Sequence, residues 1–332
     1  MDTIIKADDS ELRRRKTIKT QRLVSLIPLI ACLILASAYF IIAISKGYNI
    51  KIGMRVIVSS TTLVALVATG ATFIFTSGSF DLSLGSNMLI SALLGGLVCK
   101  YTGSLFLMFI VCVAVSVLLS VLNSSLASVF NLPVFIMTIV MMNVYGSIAV
   151  LLFTTLGENA SVAVPINLVN PLNKTWFRLV LVLGYELFCC FVFYILKTGR
   201  RQKFLGGNKM CAELSGINSR RLTILSFALA GIGIGLAAFS MVIETPTISS
   251  SSGASVGMNM LIALVFGGMS MSGGPGSKMY SALLGALSMS FLDAIMNIFV
   301  DGSWYLQIAK GVLFVTVVAL FSIGKRRSLL ER

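Results

Sequence analysis

Long apolar runs recur along the 332-residue chain, separated by short polar or glycine-rich breaks. A helix needs about 20 apolar residues to cross the hydrocarbon core of a bilayer. Runs at about 23–44, 54–76, 82–98, 105–122, 133–156, 177–196, 222–243, 256–271, 278–299 and 304–323 meet or approach that length. The pattern predicts an all-α membrane protein, a polytopic bundle of about ten transmembrane helices. Residues 1–22 then form a basic amino-terminal segment, 23–323 the membrane domain and 324–332 a basic tail.

Charge fixes the orientation. Lys6, Arg13, Arg14, Arg15, Lys16, Lys19 and Arg22 precede the first run and hold the amino terminus in the cytoplasm. With ten spans the carboxyl terminus is also cytoplasmic. The other predicted inner segments hold the basic cluster of loop 197–221, Lys278, and the tail residues Lys325, Arg326, Arg327 and Arg332. The outer ones hold only Lys46, Lys51, Arg55, Lys100, Lys174 and Arg178. A second reading of the first run is a cleaved signal ending at Ala36-Ser37-Ala38, which leaves the remaining orientation unchanged.

Composition agrees with this placement. Hydrophobic residues make up 57% and charged residues 11%, against about a quarter charged in soluble domains. The formal net charge of +14 is dispersed between apolar runs rather than gathered beside exposed aromatics, which argues for lipid headgroups and against nucleic acid as a partner. Histidine is absent, which excludes Ser-His and Cys-His nucleophiles and His-ligated metals. The six cysteines show no zinc-ligand spacing. A non-catalytic chain without cofactor or metal is expected.

Three interruptions carry the candidate chemistry. At 76–86, Gly78 breaks the second run, and Asp81 is placed to cap the third helix or face a solute path. At 267–277, glycines and Pro275 form a tight inner turn lacking the phosphate-loop pattern. In loop 197–221, Asn208 is placed to cap a two-turn helix through Ser215, with Gly216 as its left-handed stop. Such a bracketed helix is a candidate docking element, or alternatively an ordinary topology-setting loop.

Polar residues within the runs supply further candidates. Ser83, Asn87, Thr138, Asn143, Asn259 and Asn297, together with Asp81, are candidate pathway residues for a hydroxylated solute, while asparagines also link helices. Glu186, Asp293 and Lys310 are costly to bury alone, and Asp293 with Lys310 is a candidate intramembrane ion pair. Gly231 with Gly235, and Ser91 with Gly95, are spaced for close helix packing.

Five ordered motifs resemble the membrane permease subunits of ribose-type ATP-binding-cassette importers, relatives of the branched-chain amino-acid permeases. They are residues 77–86 (SGSFDLSLGS), 132–138 (LPVFIMT), 206–218 (from Gly206-Gly207-Asn208-Lys209 to Leu214-Ser215-Gly216-Ile217-Asn218), 267–277 and 305–311 (YLQIAKG). The resemblance implies a homo- or heterodimer of permease subunits in the bacterial cytoplasmic membrane, separate ATPase subunits and an extracytoplasmic solute-binding protein. It also implies that Gly207, Asn208, Ala212, Glu213, Leu214, Ser215, Gly216 and Ile217 form the ATPase-coupling element. Against the usual family pattern, Ser79 replaces a glycine, Asn259 an aspartate, Asp293 an asparagine and Pro275 a basic residue. The expected cargo is a sugar or sugar-like solute. A nucleoside or branched-chain amino acid, or an ion-coupled secondary carrier suggested by the scattered carboxylates, are the alternatives.

Overall fold

A computed structural model describes residues 26, 28–157, 160–253, 255–269, 273–299, 308, 311 and 312. The expected tenth span at 304–323, Lys310 and both basic terminal segments lie largely or wholly outside the described residues. Among the described residues, eight helices are long and apolar enough to cross a membrane. They are α1 (Pro28–Ser45), α2 (Ile50–Thr76), α3 (Leu84–Thr102), α4 (Leu105–Val129), α5 (Val134–Leu156), α7 (Thr175–Cys190, extended by a π-turn at Phe191–Ile195), α10 (Ser219–Glu244) and α12 (Tyr280–Phe299). The run expected at 256–271 folds as α11, Val256–Phe266, only 11 residues long.

Shorter elements join them: α6 (Ile166–Val169), α8 (Lys197–Gly207) and α9 (Lys209–Leu214). Strands β1 (Ser161–Ala163) and β2 (Thr247–Ser249) pair antiparallel, with Val162 opposite Ile248. This ribbon qualifies the all-α expectation. Three-residue strands are too short to show a period of two in the sequence.

Helices α2 and α10 run through the middle of the bundle, with α10 packed on both α2 and α4. Lipid is as apolar as leucine, so close backbone approach, rather than escape from water, holds such helices together. The glycines provide it. A Cβ on Gly231 would lie 2.6 Å from Val117 Cα, and one on Gly235 would lie 2.5 Å from Val113 Cα. Gly70 likewise leaves only 2.9 Å between a would-be Cβ and Ala230 Cα. Around these contacts, Phe73, Phe75, Phe193 and Phe227 are sealed from solvent.

Glycine also ends helices. After α2, Gly78 (φ +79°) donates to Phe75 O and Ser79 to Ile74 O, a reciprocal C-terminal cap. After α11, Gly268 (φ +75°) and Met269 repeat the arrangement with Val265 O and Leu264 O.

Candidate translocation groove and candidate docking helix

The helix expected between Asn208 and Gly216 is present as α9. Asn208 Oδ1 accepts from Cys211 N at 3.0 Å, closing its amino end. At the other end Gly216 N donates to Glu213 O and Ile217 N to Ala212 O, with Gly216 at φ +79°. Ala212 is fully buried and packs with Leu205, Leu222 and Ile217, which seats α9 on α8 and the start of α10. Glu213 accepts from Ser219 Oγ at 2.6 Å, adding a second tie to α10. Asn208, Glu213, Ser215 and Gly207 are exposed. Met210 and Leu214, four residues apart on α9, are 74% and 83% exposed. An apolar pair is thus held outward on a capped, basic-flanked loop, which makes α9 a candidate docking surface.

Asp81 differs from its expected role as a cap. Helix α3 begins at Leu84 with Ser83 in the capping position, and the Ser83 side chain makes no cap bond. Asp81 stands two residues outside. Its Oδ1 accepts from both Ser83 N and Ser83 Oγ at 2.7 Å, a local turn that orders the chain before the helix. Gly78 does end α2 as expected, but the carboxylate that follows it closes a turn, and α3 starts only beyond that turn.

Asp81, Ser83, Asn87 and Thr138 are all fully buried. Each is held by its own hydrogen bonds to neighbouring helices or loops, in three separate groups. Asn123 Nδ2 donates to Ser83 Oγ at 2.7 Å, and Tyr145 Oη donates to Asn123 Oδ1 at 2.7 Å. Asn87 Nδ2 donates to Ser120 Oγ at 2.9 Å and to Ser116 O at 3.1 Å. Thr138 Oγ1 faces Phe80 O and Leu82 N, each at 3.4 Å. Sequence reasoning missed Ser116, Ser120, Asn123 and Tyr145. For the three on α4 a signal is present, since Cys112, Ser116, Ser120, Asn123, Ser124 and Ala127 follow the helical period down one face, whereas Tyr145 of α5 has none.

Asn143 lies elsewhere. It is exposed on α5, donating only to Ile139 O of its own helix, and it lines a groove of about 650 Å³ with Ser86, Gly146, Ser147 and Thr154. Met142, Val150 and Leu151 complete the wall. The lining is neutral, mixing hydroxyls and an amide with aliphatic surface. That combination suits an uncharged, hydroxyl-bearing molecule, which needs donors and acceptors but no counter-ion.

The remaining candidates sit toward the end of the described chain. Asn259 of α11 is buried and donates to Asp293 Oδ2 of α12 at 3.1 Å. Asn297 is exposed one turn further on. The Asp293–Lys310 pair cannot be located because Lys310 lies outside the described residues. Glu186, on α7, is buried and accepts from Thr69 Oγ1 of α2 at 2.7 Å. Among the described residues, no cluster of acidic, cysteine or histidine side chains could hold a metal.

A bundle of helices long and apolar enough to cross a membrane, with a polar groove on one side, is the class of structure in which membrane permeases are found. Residues 53–320 match the family described as branched-chain amino acid transport system / permease component, and the chain belongs to that family. It is 26% identical to the ribose import permease protein RbsC of Haemophilus influenzae, over 82% of this chain and 85% of that protein. The fructose import permease protein FrcC of Rhizobium meliloti is 25% identical, over 89% and 84%. The autoinducer 2 import system permease protein LsrC of Klebsiella pneumoniae is 25% identical, over 90% and 86%. No solved structure matches the chain.

Proposed function

We propose that this chain is the membrane subunit of an ATP-binding-cassette importer for an uncharged sugar or sugar-like solute. It conducts the solute across the bacterial cytoplasmic membrane and performs no covalent chemistry. The observation that carries the reading is the family match across most of the chain, joined to a capped docking helix and a neutral hydroxyl-lined groove. ATPase subunits seat on α9 through Met210, Leu214 and the surrounding loop. A solute-binding protein delivers cargo from outside, and a second permease subunit covers the exposed polar face of α5, which is otherwise poorly suited to lipid.

Asn143, Ser147 and Thr154 contact the moving solute. Asp81, Ser83, Asn87 and Thr138 set the inner part of the pathway, and Asn259 and Asn297 its α11–α12 side. Affinity purification from native membranes is expected to recover an ATP-binding-cassette ATPase. A stable, fully active transporter made from this chain alone would overturn the proposal. Uptake that survives ATP depletion but stops when an ion gradient collapses would assign an ion-coupled carrier instead.

A further inference from the structure

Three backbone segments far apart in sequence meet at the inner face, beside the amino end of α9. Thr76 O, at the carboxyl end of α2, accepts from Gly274 N at 3.0 Å. Gly206, two residues before the α9 cap, lies against the same carbonyl so closely that a Cβ would run into Thr76 O and come within 2.7 Å of Gly274 N. A Cβ on Gly273 would come within 2.8 Å of Gly78 N. Backbone thus rests on backbone, with no flexible side chain between to absorb a displacement.

From this junction a continuous series of contacts runs to the groove helix. Phe80, just past the α2 cap, stacks edge-on against Phe75 with ring centroids 4.7 Å apart. Asp81 then holds Ser83, Ser83 Oγ accepts from Asn123, and Asn123 accepts from Tyr145, each at 2.7 Å. Asn123 is fully buried and Tyr145 is 2% exposed. Sliding α5 along α4 would leave these groups unpaired where water cannot replace the lost partner, so the network resists such a shift. Tyr145 also lies between Asn143 and Ser147 in sequence while pointing to the buried side of α5.

We infer that Asn123 and Tyr145 are positioning residues, which fasten α5 to α3 and α4 so that movement of α9, passed through the Gly206–Thr76–Gly274 junction, reaches the groove wall. The inference rests on the docking role proposed for α9. It assigns the buried asparagine and tyrosine to coupling, without contact to solute or ATPase.

The test measures solute imported per ATP hydrolysed by the complete importer, with its ATPase and binding protein, in proteoliposomes. Tyr145→Phe removes only the hydroxyl, which faces Asn123 Oδ1 at 2.7 Å and Leu119 O at 3.1 Å, both on α4. It is expected to lower the ratio by about fivefold, the lower end of coupling between distant sites. Gly206→Ala, at the other end of the same contacts, is expected to act in the same direction. Gly276→Ala, whose Cβ meets nothing within 4 Å, is expected to leave the ratio at the wild-type value.

A merely structural role would lower uptake and hydrolysis in parallel, leaving the ratio unchanged. That result in Tyr145→Phe, or in Gly206→Ala should the first variant not assemble, overturns the inference. Failure of the docking reading shows separately, as a wild-type chain that recovers no ATPase.

Discussion

Asn259 on α11 donates a hydrogen bond from Nδ2 to Oδ2 of Asp293 on α12 at 3.1 Å. The amide of one helix and the carboxylate of the other are thus direct partners across the α11–α12 contact. Asn259→Asp alone brings two carboxylates together and is expected to lower the melting temperature of the solubilised protein. A bond to a charged group contributes about 1.5–3 kcal/mol, so the loss is measurable. The double exchange Asn259→Asp with Asp293→Asn is expected to recover most of it. A double variant no more stable than the single one would show that the pair is not interchangeable.

Asp81→Asn keeps the oxygen that accepts from Ser83, whereas Asp81→Ala leaves two buried donors without it. Unmet buried groups cost about 1–3 kcal/mol each. Transport by the alanine variant is therefore expected to fall well below that of the asparagine variant, which stays near wild type. Uptake assays on membranes with matched protein amounts distinguish the three. Equal rates would show that the turn is dispensable.

On α9, Gly216 occupies a left-handed conformation at φ +79°. Proline is fixed near −65°, so Gly216→Pro removes the reciprocal cap. Glu213→Arg separately removes the acceptor that Ser219 uses. Both variants are expected to insert normally but to recover less ATPase or to lose solute-stimulated hydrolysis. Full stimulated hydrolysis in both would remove α9 from the mechanism.

The groove is tested by Asn143→Leu and Ser147→Val, which keep approximate volume while deleting polar groups. Each lost hydrogen bond to solute is expected to weaken apparent affinity about fivefold, corresponding to about 1 kcal/mol. Concentration-dependent uptake in proteoliposomes reads this directly. An unchanged half-saturating concentration in both variants would place the solute elsewhere.

Close packing makes a prediction independent of transport. Gly235→Ala presses a methyl group toward Val113 Cα, where only 2.5 Å is open, while Gly184→Ala meets nothing within 4 Å. Overpacking typically costs about 1–3 kcal/mol. Thermal melts of the two variants should therefore separate, with Gly235→Ala the less stable.

What could be read from sequence followed the range of the interaction. The α9 helix was legible because Asn208 and Gly216 act on backbone within a few residues. Asp81 was misplaced by two positions because a side chain that accepts backbone N–H groups marks a turn as readily as a helix start. Asn123 and Tyr145 meet across two helices, and their partnership depends on tertiary register that no local pattern encodes. The polar stripe on α4 did announce a buried face, although not its partners. Asn143 shares its residue type with the buried Asn87 of α3, and on α5 only the rotation of the helix separates Asn143 in the groove wall from Tyr145 in the packed interior.

The bond from Gly274 to Thr76 O also orders the making of the protein in time. Helix α2 emerges early in synthesis, yet the donor that satisfies this carbonyl belongs to a loop made only after α10 and α11. Until that loop is made, Thr76 O lacks this partner, so a chain that stops before Gly274 cannot close the carboxyl end of α2 as the full chain does.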